Sequence, residues 1–206
     1  MLISSDLFSQ LRKDILQGKF AQGYKLIEQQ ICSEYNVSRT PVREAFKQLE
    51  MEGLIETIPN RGAFVIGFTK QDIRDMFELR KAYEIQAVKW AIERISEDEF
   101  NALEETFEFM EFYTSKKDIE KMLNINTSFH QLIYKASHNK MLQHILSSYQ
   151  LYIKYTRGNV VFGEDYLPSL LAEHRKIFEA FQESDVEKGV KATEEHMDNS
   201  HKRFYF

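Results

Sequence analysis

Apolar residues recur at helical spacing in a short stretch that follows Ser38. They have the i, i+3, i+4, i+7 spacing of a helix with one buried face: Val42, Ala45, Phe46 and Leu49. Ser38 is a favoured N-cap residue, and Pro41 is tolerated in a first helical turn, where backbone N–H groups lack intrahelical partners. The stretch therefore predicts a helix that begins near Ser38 and exposes its polar N-terminal end.

The segments on either side predict the rest of a small domain. Upstream, an apolar stripe over residues 8–15 ends near Gly18, as in a first helix closed by a glycine cap. A second short helix is indicated around residues 31–35, and two β-prone runs flank a hairpin turn at residues 59–62. Three helices followed by a hairpin predict a winged helix. Alone, the polar end of the third helix is equally compatible with an ordinary solvent-exposed cap.

Four segments in this region also match a known pattern in order: residues 11–18, 37–45, 49–54 and 61–65. Through them, residues 4–67 closely resemble the N-terminal domain of the GntR family of bacterial transcription regulators. The resemblance implies that the third helix contacts DNA through five residues: Ser38, Arg39, Thr40, Pro41 and Arg43. It also implies that three wing residues reach the neighbouring minor groove or backbone: Asn60, Arg61 and Gly62.

The net charge of −5 is unevenly distributed along the 206 residues. Residues 1–68 contain eight Lys or Arg and eight Asp or Glu residues, so the acidic excess lies entirely in residues 69–206. A neutral domain has no broad basic surface for nucleic acid. Binding to DNA must therefore rely on a local cluster, which a dimer would double, and we expect a moderate salt dependence.

Cysteine content and hydropathy limit the class of protein. The single cysteine, Cys32, excludes an internal disulfide framework and fits a reducing compartment. No stretch approaches the ~18 consecutive apolar residues of a membrane span, and the N-terminus lacks a signal-peptide pattern. We expect a cytoplasmic protein without a membrane partner.

Beyond Thr69, long segments of helical periodicity follow one another. Helices are predicted near residues 70–96, 98–114, 117–136, 140–158, 166–183 and 186–203. Favoured N-cap residues precede several of them: Thr69, Ser96, Asn139 and the pair Ser184–Asp185. The sequence thus predicts a mainly α protein with a winged helix-turn-helix domain over residues 1–69 and an all-α bundle over residues 70–206.

Three histidines lie among apolar positions of this predicted bundle: His130, His174 and His196. Asn126 precedes His130 by four residues and therefore shares its helix face. A single histidine that faces inward is more often a hydrogen-bonded core residue than a ligand. From the residues alone, both interpretations stay open.

Several segments of the second half match another family pattern: residues 77–84, 126–139 and 173–196. Through them, residues 72–204 resemble the all-helical FCD effector domain of the FadR-type branch, and six helices suggest its shorter subgroup. In many relatives an aspartate and three histidines hold a divalent metal. The resemblance carries this role to four positions: Asn126, His130, His174 and His196.

This chain departs from that pattern at Asn126, where the family has an aspartate. A neutral amide offers only its carbonyl oxygen, so metal affinity should be weaker. Three imidazoles suit zinc or nickel and leave a position open to water or an effector carboxylate. The alternative is a metal-free pocket in which the histidines bind the effector directly.

Two arginines are candidate effector contacts. Arg80 matches an arginine of the family and has the geometry to clamp a carboxylate bidentately, or alternatively forms an ion pair with Glu84 at i+4. Arg157 is the weaker candidate. Together the resemblances imply a transcription regulator that binds a palindromic operator as a homodimer and responds to a small organic acid.

Two other functions compete with this interpretation. In a metal-ion sensor the ion itself is the signal. A metallohydrolase also uses three histidines with an open metal position. However, no HExxH-type motif supplies a general base, and catalysis would leave the winged helix unexplained. We therefore expect a regulator and not an enzyme.

Overall fold

The computed structural model describes residues 4–156 and 163–205, and these residues contain nine helices and three short strands. The N-terminal elements are α1 (Ser4–Leu16), β1 (Lys25–Leu26), α2 (Glu28–Tyr35), α3 (Arg39–Met51), β2 (Ile55–Ile58) and β3 (Gly62–Val65). Six helices follow: α4 (Lys70–Arg94), α5 (Glu97–Ser115), α6 (Ile119–Ala136), α7 (Lys140–Thr156), α8 (Tyr166–Gln182) and α9 (Val186–Tyr205). The predicted fold class is confirmed.

The chain divides into two compact units, with the first break between Ile73 and Arg74. The predicted boundary between residues 69 and 70 stays a prediction. None of the described helices is both long and apolar enough to cross a membrane.

The third helix of the first unit, α3, is formed by the residues that its periodicity predicts. All four apolar positions are buried: Val42, Ala45, Phe46 and Leu49. They pack towards α1, whose Leu7 and Leu11 are fully inaccessible to solvent. Burial of a leucine side chain stabilises a fold by roughly 1.5–3 kcal/mol. The apolar contact between α1 and α3 therefore fixes the orientation of α3.

Ser38 occupies the N-cap of α3 in extended backbone conformation (φ −79°, ψ 173°). Its hydroxyl makes no capping hydrogen bond with the described residues. The predicted N-cap position of Ser38, and with it the predicted start of the helix, is therefore confirmed. The hydroxyl stays available at the exposed end of the helix.

The three strands form an antiparallel sheet in the order β1-β3-β2. In the hairpin, Ile55 lies opposite Val65 and Ile58 lies opposite Gly62. Asn60 in the turn has a positive φ of 61°, which asparagine tolerates better than most residues. The third strand, β1, was not predicted from the sequence, because two residues are too short to show an alternating pattern.

Several helices of the second half begin after the predicted N-cap residues. The backbone N–H of Asp72 donates to Thr69 Oγ1 (3.1 Å), and that of Leu142 donates to Asn139 Oδ1 (3.0 Å). Asp185 Oδ1 accepts from the N–H of Lys188 (2.9 Å). These N-caps are confirmed. Because each hydrogen bond satisfies an otherwise unpaired donor, the sequence fixes where the helices begin.

A large apolar cluster forms the interior of this unit. The rings of Phe107 and Phe178 stack with centroids 4.6 Å apart, and Phe129 lies against Phe107 at 6.4 Å. Phe129 and Met110 are inaccessible to solvent. This cluster joins residues of α5, α6 and α8, the last two of which carry histidines of the predicted site.

Replacing Ser96 by alanine tests the capping box of α5, in which Ser96 Oγ accepts from Glu99 N (3.3 Å) and Glu99 Oε2 accepts from Ser96 N (3.1 Å). We expect Ser96→Ala to lower the free energy of unfolding by about 1 kcal/mol. Fluorescence of Trp90, the single tryptophan, which lies on α4, reports the transition in urea.

Ser128→Ala is the matched control, because this serine is exposed in the middle of α6 and its hydroxyl donates to the carbonyl of Asn124. Its effect should stay within about 0.5 kcal/mol. Equal urea midpoints for Ser96→Ala and wild type would show that the box contributes no stability.

Candidate functional site

The exposed end of α3 presents most of the residues that were predicted to contact DNA. Four are exposed: Ser38, Arg39, Thr40 and Arg43. Pro41 is half-buried, and the three wing residues are exposed: Asn60, Arg61 and Gly62. The side chains are accessible to a ligand, and their contact with DNA stays a prediction.

Arg43 is held by a carboxylate that the sequence analysis did not single out. Its Nε donates to both oxygens of Glu28, at 2.9 and 3.1 Å. These hydrogen bonds, together with the negative charge of Glu28, raise the pKa of the Arg43 guanidinium. Glu28 opens α2 and lies 15 residues before Arg43, so no helical periodicity connects the two.

The helical unit brings together the three histidines of the predicted metal site. His130 on α6, His174 on α8 and His196 on α9 are buried, with at most 3% of each residue exposed. One ring nitrogen of each lies within 4.8 Å of the others. The Nε2 atoms of His130 and His174 are 3.2 Å apart. Three separate helices therefore converge on one point.

Hydrogen bonds on the opposite ring edges fix how these imidazoles are oriented. His174 Nδ1 donates to the carbonyl oxygen of Leu170 (2.8 Å), and His196 Nδ1 donates to Glu173 Oε2 (2.8 Å). In a neutral imidazole the other nitrogen then carries a lone pair. In both rings this lone pair is available to the cluster, as in metal-ligating histidines.

The environment keeps two of the rings neutral. Burial, reinforced by the other two histidines, lowers the pKa of His174 well below its ordinary value. Burial also lowers the pKa of His196 to about 4, although the hydrogen bond to Glu173 acts in the opposite direction. A neutral imidazole is the form that binds a metal ion. At neutral pH His174 and His196 are therefore potential ligands and not cations.

Two buried atoms on α6, the helix that carries His130, have no hydrogen-bond partner among the described residues. They are Asn126 Oδ1 and His130 Nδ1. His130 Nδ1 lies 3.5 Å from Glu84 Oε2, which is longer than a hydrogen bond. An unpaired buried carbonyl oxygen costs about 1–3 kcal/mol, and a cation would satisfy it. The residues present therefore fit a divalent metal, with Asn126 offering a weak oxygen ligand.

Glu173 is hydrogen-bonded to His196 and was not predicted as a site residue from the sequence. Arg203 binds it bidentately, with both terminal nitrogens at 2.7 Å, and Asn199 Nδ2 donates to it at 3.0 Å. Burial would raise the pKa of Glu173, but Arg203 and His196 outweigh it and lower the pKa to about 2. The carboxylate therefore stays charged and fixes the ring of His196.

Arg80 forms the ion pair with Glu84 that was the alternative to an effector contact. Arg80 Nε and Nη2 lie 3.0 and 2.9 Å from Glu84 Oε1, and Tyr134 also donates to this oxygen. Burial would raise the pKa of Glu84, but His130 and Arg80 lower it to about 2. Arg80 is thus occupied within the protein, and its contact with an effector stays a prediction. Arg157 lies outside the described residues.

Known proteins match both halves of the chain. Residues 3–65 match the family described as bacterial regulatory proteins, gntR family, and residues 75–199 match the FCD domain. The chain is 31% identical over 182 residues to the uncharacterized HTH-type transcriptional regulator YdhC of Bacillus subtilis strain 168, spanning 87% of this chain and 81% of that protein.

Two further comparisons extend the likeness along the chain. Identity is 27% over 195 residues with the HTH-type transcriptional repressor RspR of Escherichia coli K12, spanning 95% of this chain and 86% of that protein. The structure of E. coli McbR/YncC superposes with a TM-score of 0.76 at 21% identity and covers 100% of this chain and 98% of that one. The matched families and relatives are transcription regulators, not enzymes. The chain belongs to the GntR family of transcription regulators and carries an FCD effector domain C-terminal to its winged helix.

Proposed function

We propose that this regulator is a homodimeric repressor that binds a palindromic operator and senses a small organic acid at a metal ion in its helical unit. The observation that carries the sensing half of the proposal is the convergence of three buried histidines on one point. Repression is supported by the relatives, since RspR and the galactonate operon protein of E. coli are both named as repressors.

The charge of the first unit supports a dimer on DNA. Residues 1–68 have no net charge, so one copy offers only a few positive side chains to phosphates. Two copies related by a two-fold axis double these contacts and read two half-sites, which makes the operator palindromic. Because few phosphates are neutralised, affinity should fall moderately with salt.

The donor set of the helical unit supports zinc or nickel. Three neutral imidazoles are ligands that both ions accept, and Asn126 adds a carbonyl oxygen without charge. A divalent ion held there would keep its positive charge uncompensated by any ligand. An acidic effector fits such a centre, and its carboxylate would compete with Glu84 for the guanidinium of Arg80.

A metal-ion sensor is the second candidate, because the three histidines alone fit an ion without any effector. In that case binding of the ion would itself change the affinity for the operator. The two candidates differ in what must be added to the purified protein, and this makes them separable.

Replacing Arg43 by alanine tests the DNA contact. The operator is first selected by the wild type from a random duplex pool. Arg43→Ala should weaken binding to it by about 1–3 kcal/mol and relax the base preference at one position. Arg61→Ala should weaken binding more evenly across sequences, since a wing residue contacts the backbone or minor groove. Titrations by fluorescence anisotropy provide both measurements. A folded Arg43→Ala that binds like wild type would overturn the assignment of α3.

Metal content tests the histidine centre. Protein purified without chelator, then incubated with zinc or nickel and desalted, should retain about one ion per chain, as measured by elemental analysis. His174→Ala should abolish retention, because it removes a buried ligand. His144→Ala, which changes an exposed histidine on α7, should leave it unchanged. Absence of retained metal in the wild type would refute the centre.

Operator affinity distinguishes the two candidates. We expect zinc or nickel alone to leave the affinity unchanged, and a panel of small carboxylates added to the metal-loaded protein to include one that changes it roughly 5–150-fold. Anisotropy titrations with the selected operator measure the effect. A change of this size with metal alone would instead identify the ion as the signal.

A further inference from the structure

We propose that Glu28 is a positioning residue for Arg43, and that this pair raises the preference of the protein for its operator over other DNA. The inference rests on the proposed contact between Arg43 and a base. Glu28 is not among the residues that the sequence or the family resemblance assigned to DNA. Its role follows from the contact that it makes across the helix-turn-helix.

The geometry leaves the outer end of the Arg43 side chain free. Both hydrogen bonds to Glu28 use Nε, and within the described part of the chain the two terminal amino groups make no other bond. An arginine reads guanine with two parallel N–H donors to O6 and N7. With Nε occupied, the pair that remains is formed by the terminal nitrogens, so Arg43 would approach a guanine end-on.

The exposure of Arg43 explains why positioning matters. Its side chain is 61% exposed, and an exposed arginine that nothing holds samples many rotamers. Ordering it on the DNA would cost conformational entropy. Because Glu28 orders the guanidinium in the free protein, less of this cost is left to the binding step, which favours the correct site.

The charge of Glu28 acts in the opposite direction on DNA in general. Its side chain is 36% exposed and lies against a residue of the proposed DNA-binding surface, so the carboxylate repels phosphates. Non-specific binding depends almost entirely on phosphate contacts. Glu28 should therefore weaken binding to arbitrary DNA while it strengthens binding to the operator.

Glu28 is expected to affect operator binding and non-specific binding in opposite directions. This difference distinguishes the positioning role from two simpler roles of Glu28. An acidic residue in the first turn of a helix also stabilises it through the helix dipole, and loss of that stability would weaken binding to every DNA. A purely electrostatic role would strengthen binding to every DNA when the charge is removed. Only a positioning role changes the two affinities in different directions.

The experiment uses the full chain and two duplexes: the operator selected by the wild type, and a scrambled duplex of the same composition. Glu28→Ala should weaken operator binding by about tenfold and strengthen binding to the scrambled duplex by about twofold. Glu28→Asp keeps the charge but shortens the reach, so it should weaken operator binding and leave the scrambled duplex unchanged.

Glu56→Gln is the charge control, because it removes an exposed carboxylate from β2 that makes no ion pair within the described residues. It should change both affinities by the same factor. In an Arg43→Ala background, Glu28→Ala should no longer weaken operator binding, since the residue it positions is gone. Selection from the random pool with Glu28→Ala should also show a weaker preference at the position that Arg43 specifies.

Two results would overturn the proposal. A rise in both affinities on Glu28→Ala would make Glu28 an electrostatic residue only, and a fall in both together with a lower urea midpoint would make it a structural one. Failure of the Arg43 assignment is distinguishable, because Arg43→Ala itself would then bind the operator like wild type.

Discussion

Two buried carboxylates, Glu84 and Glu173, determine how the polar interior of the helical unit is arranged. Each is charged, and each is compensated by an arginine, Arg80 and Arg203 respectively. A buried charge without a partner would cost several kcal/mol. The pair of Glu173 and Arg203 joins α8 to α9, whereas Glu84 and Arg80 both lie on α4 and Glu84 reaches α6 through the hydroxyl of Tyr134. Glu173 also fixes the ring of His196. The orientation of His196, a candidate metal ligand, thus depends on the ion pair between Glu173 and Arg203.

These ion pairs bear on the effect of Asn126, which stands where the family pattern has an aspartate. The charges of Glu84 and Glu173 are cancelled by their arginines, and neither carboxylate is needed to balance the histidine cluster. With an amide in place of the aspartate, the four proposed ligands are all neutral. A divalent ion in this set would present its full charge to whatever binds next. In the proposed site, an amide at Asn126 would therefore lower the affinity for the metal and strengthen the attraction of the bound ion for an acidic effector.

The sequence predicted features that depend on neighbouring residues better than those that depend on distant ones. The buried face of α3 and the N-caps Asn139 and Asp185 follow from local spacing and hydrogen bonding, and the structure has them. β1 was missed because two residues carry no periodicity. Glu28 and Glu173 were missed because their partners lie 15 and 23 residues away. Nothing in the local pattern identifies either of them as the partner of a distant side chain.

The two proposed binding surfaces share one kind of interaction. In each, a carboxylate holds a side chain that is proposed to bind a ligand: Glu28 holds Arg43, and Glu173 holds His196. The two pairs differ in strength because the effective dielectric constant is lower around the buried pair than around the exposed pair. The buried pair fixes its ring tightly, since breaking it would leave a charge unsolvated. The exposed pair is screened by water and salt, so Glu28 can bias the orientation of Arg43 without competing strongly with DNA for it. In a winged helix without net charge, this bias favours discrimination between sequences over general affinity for DNA.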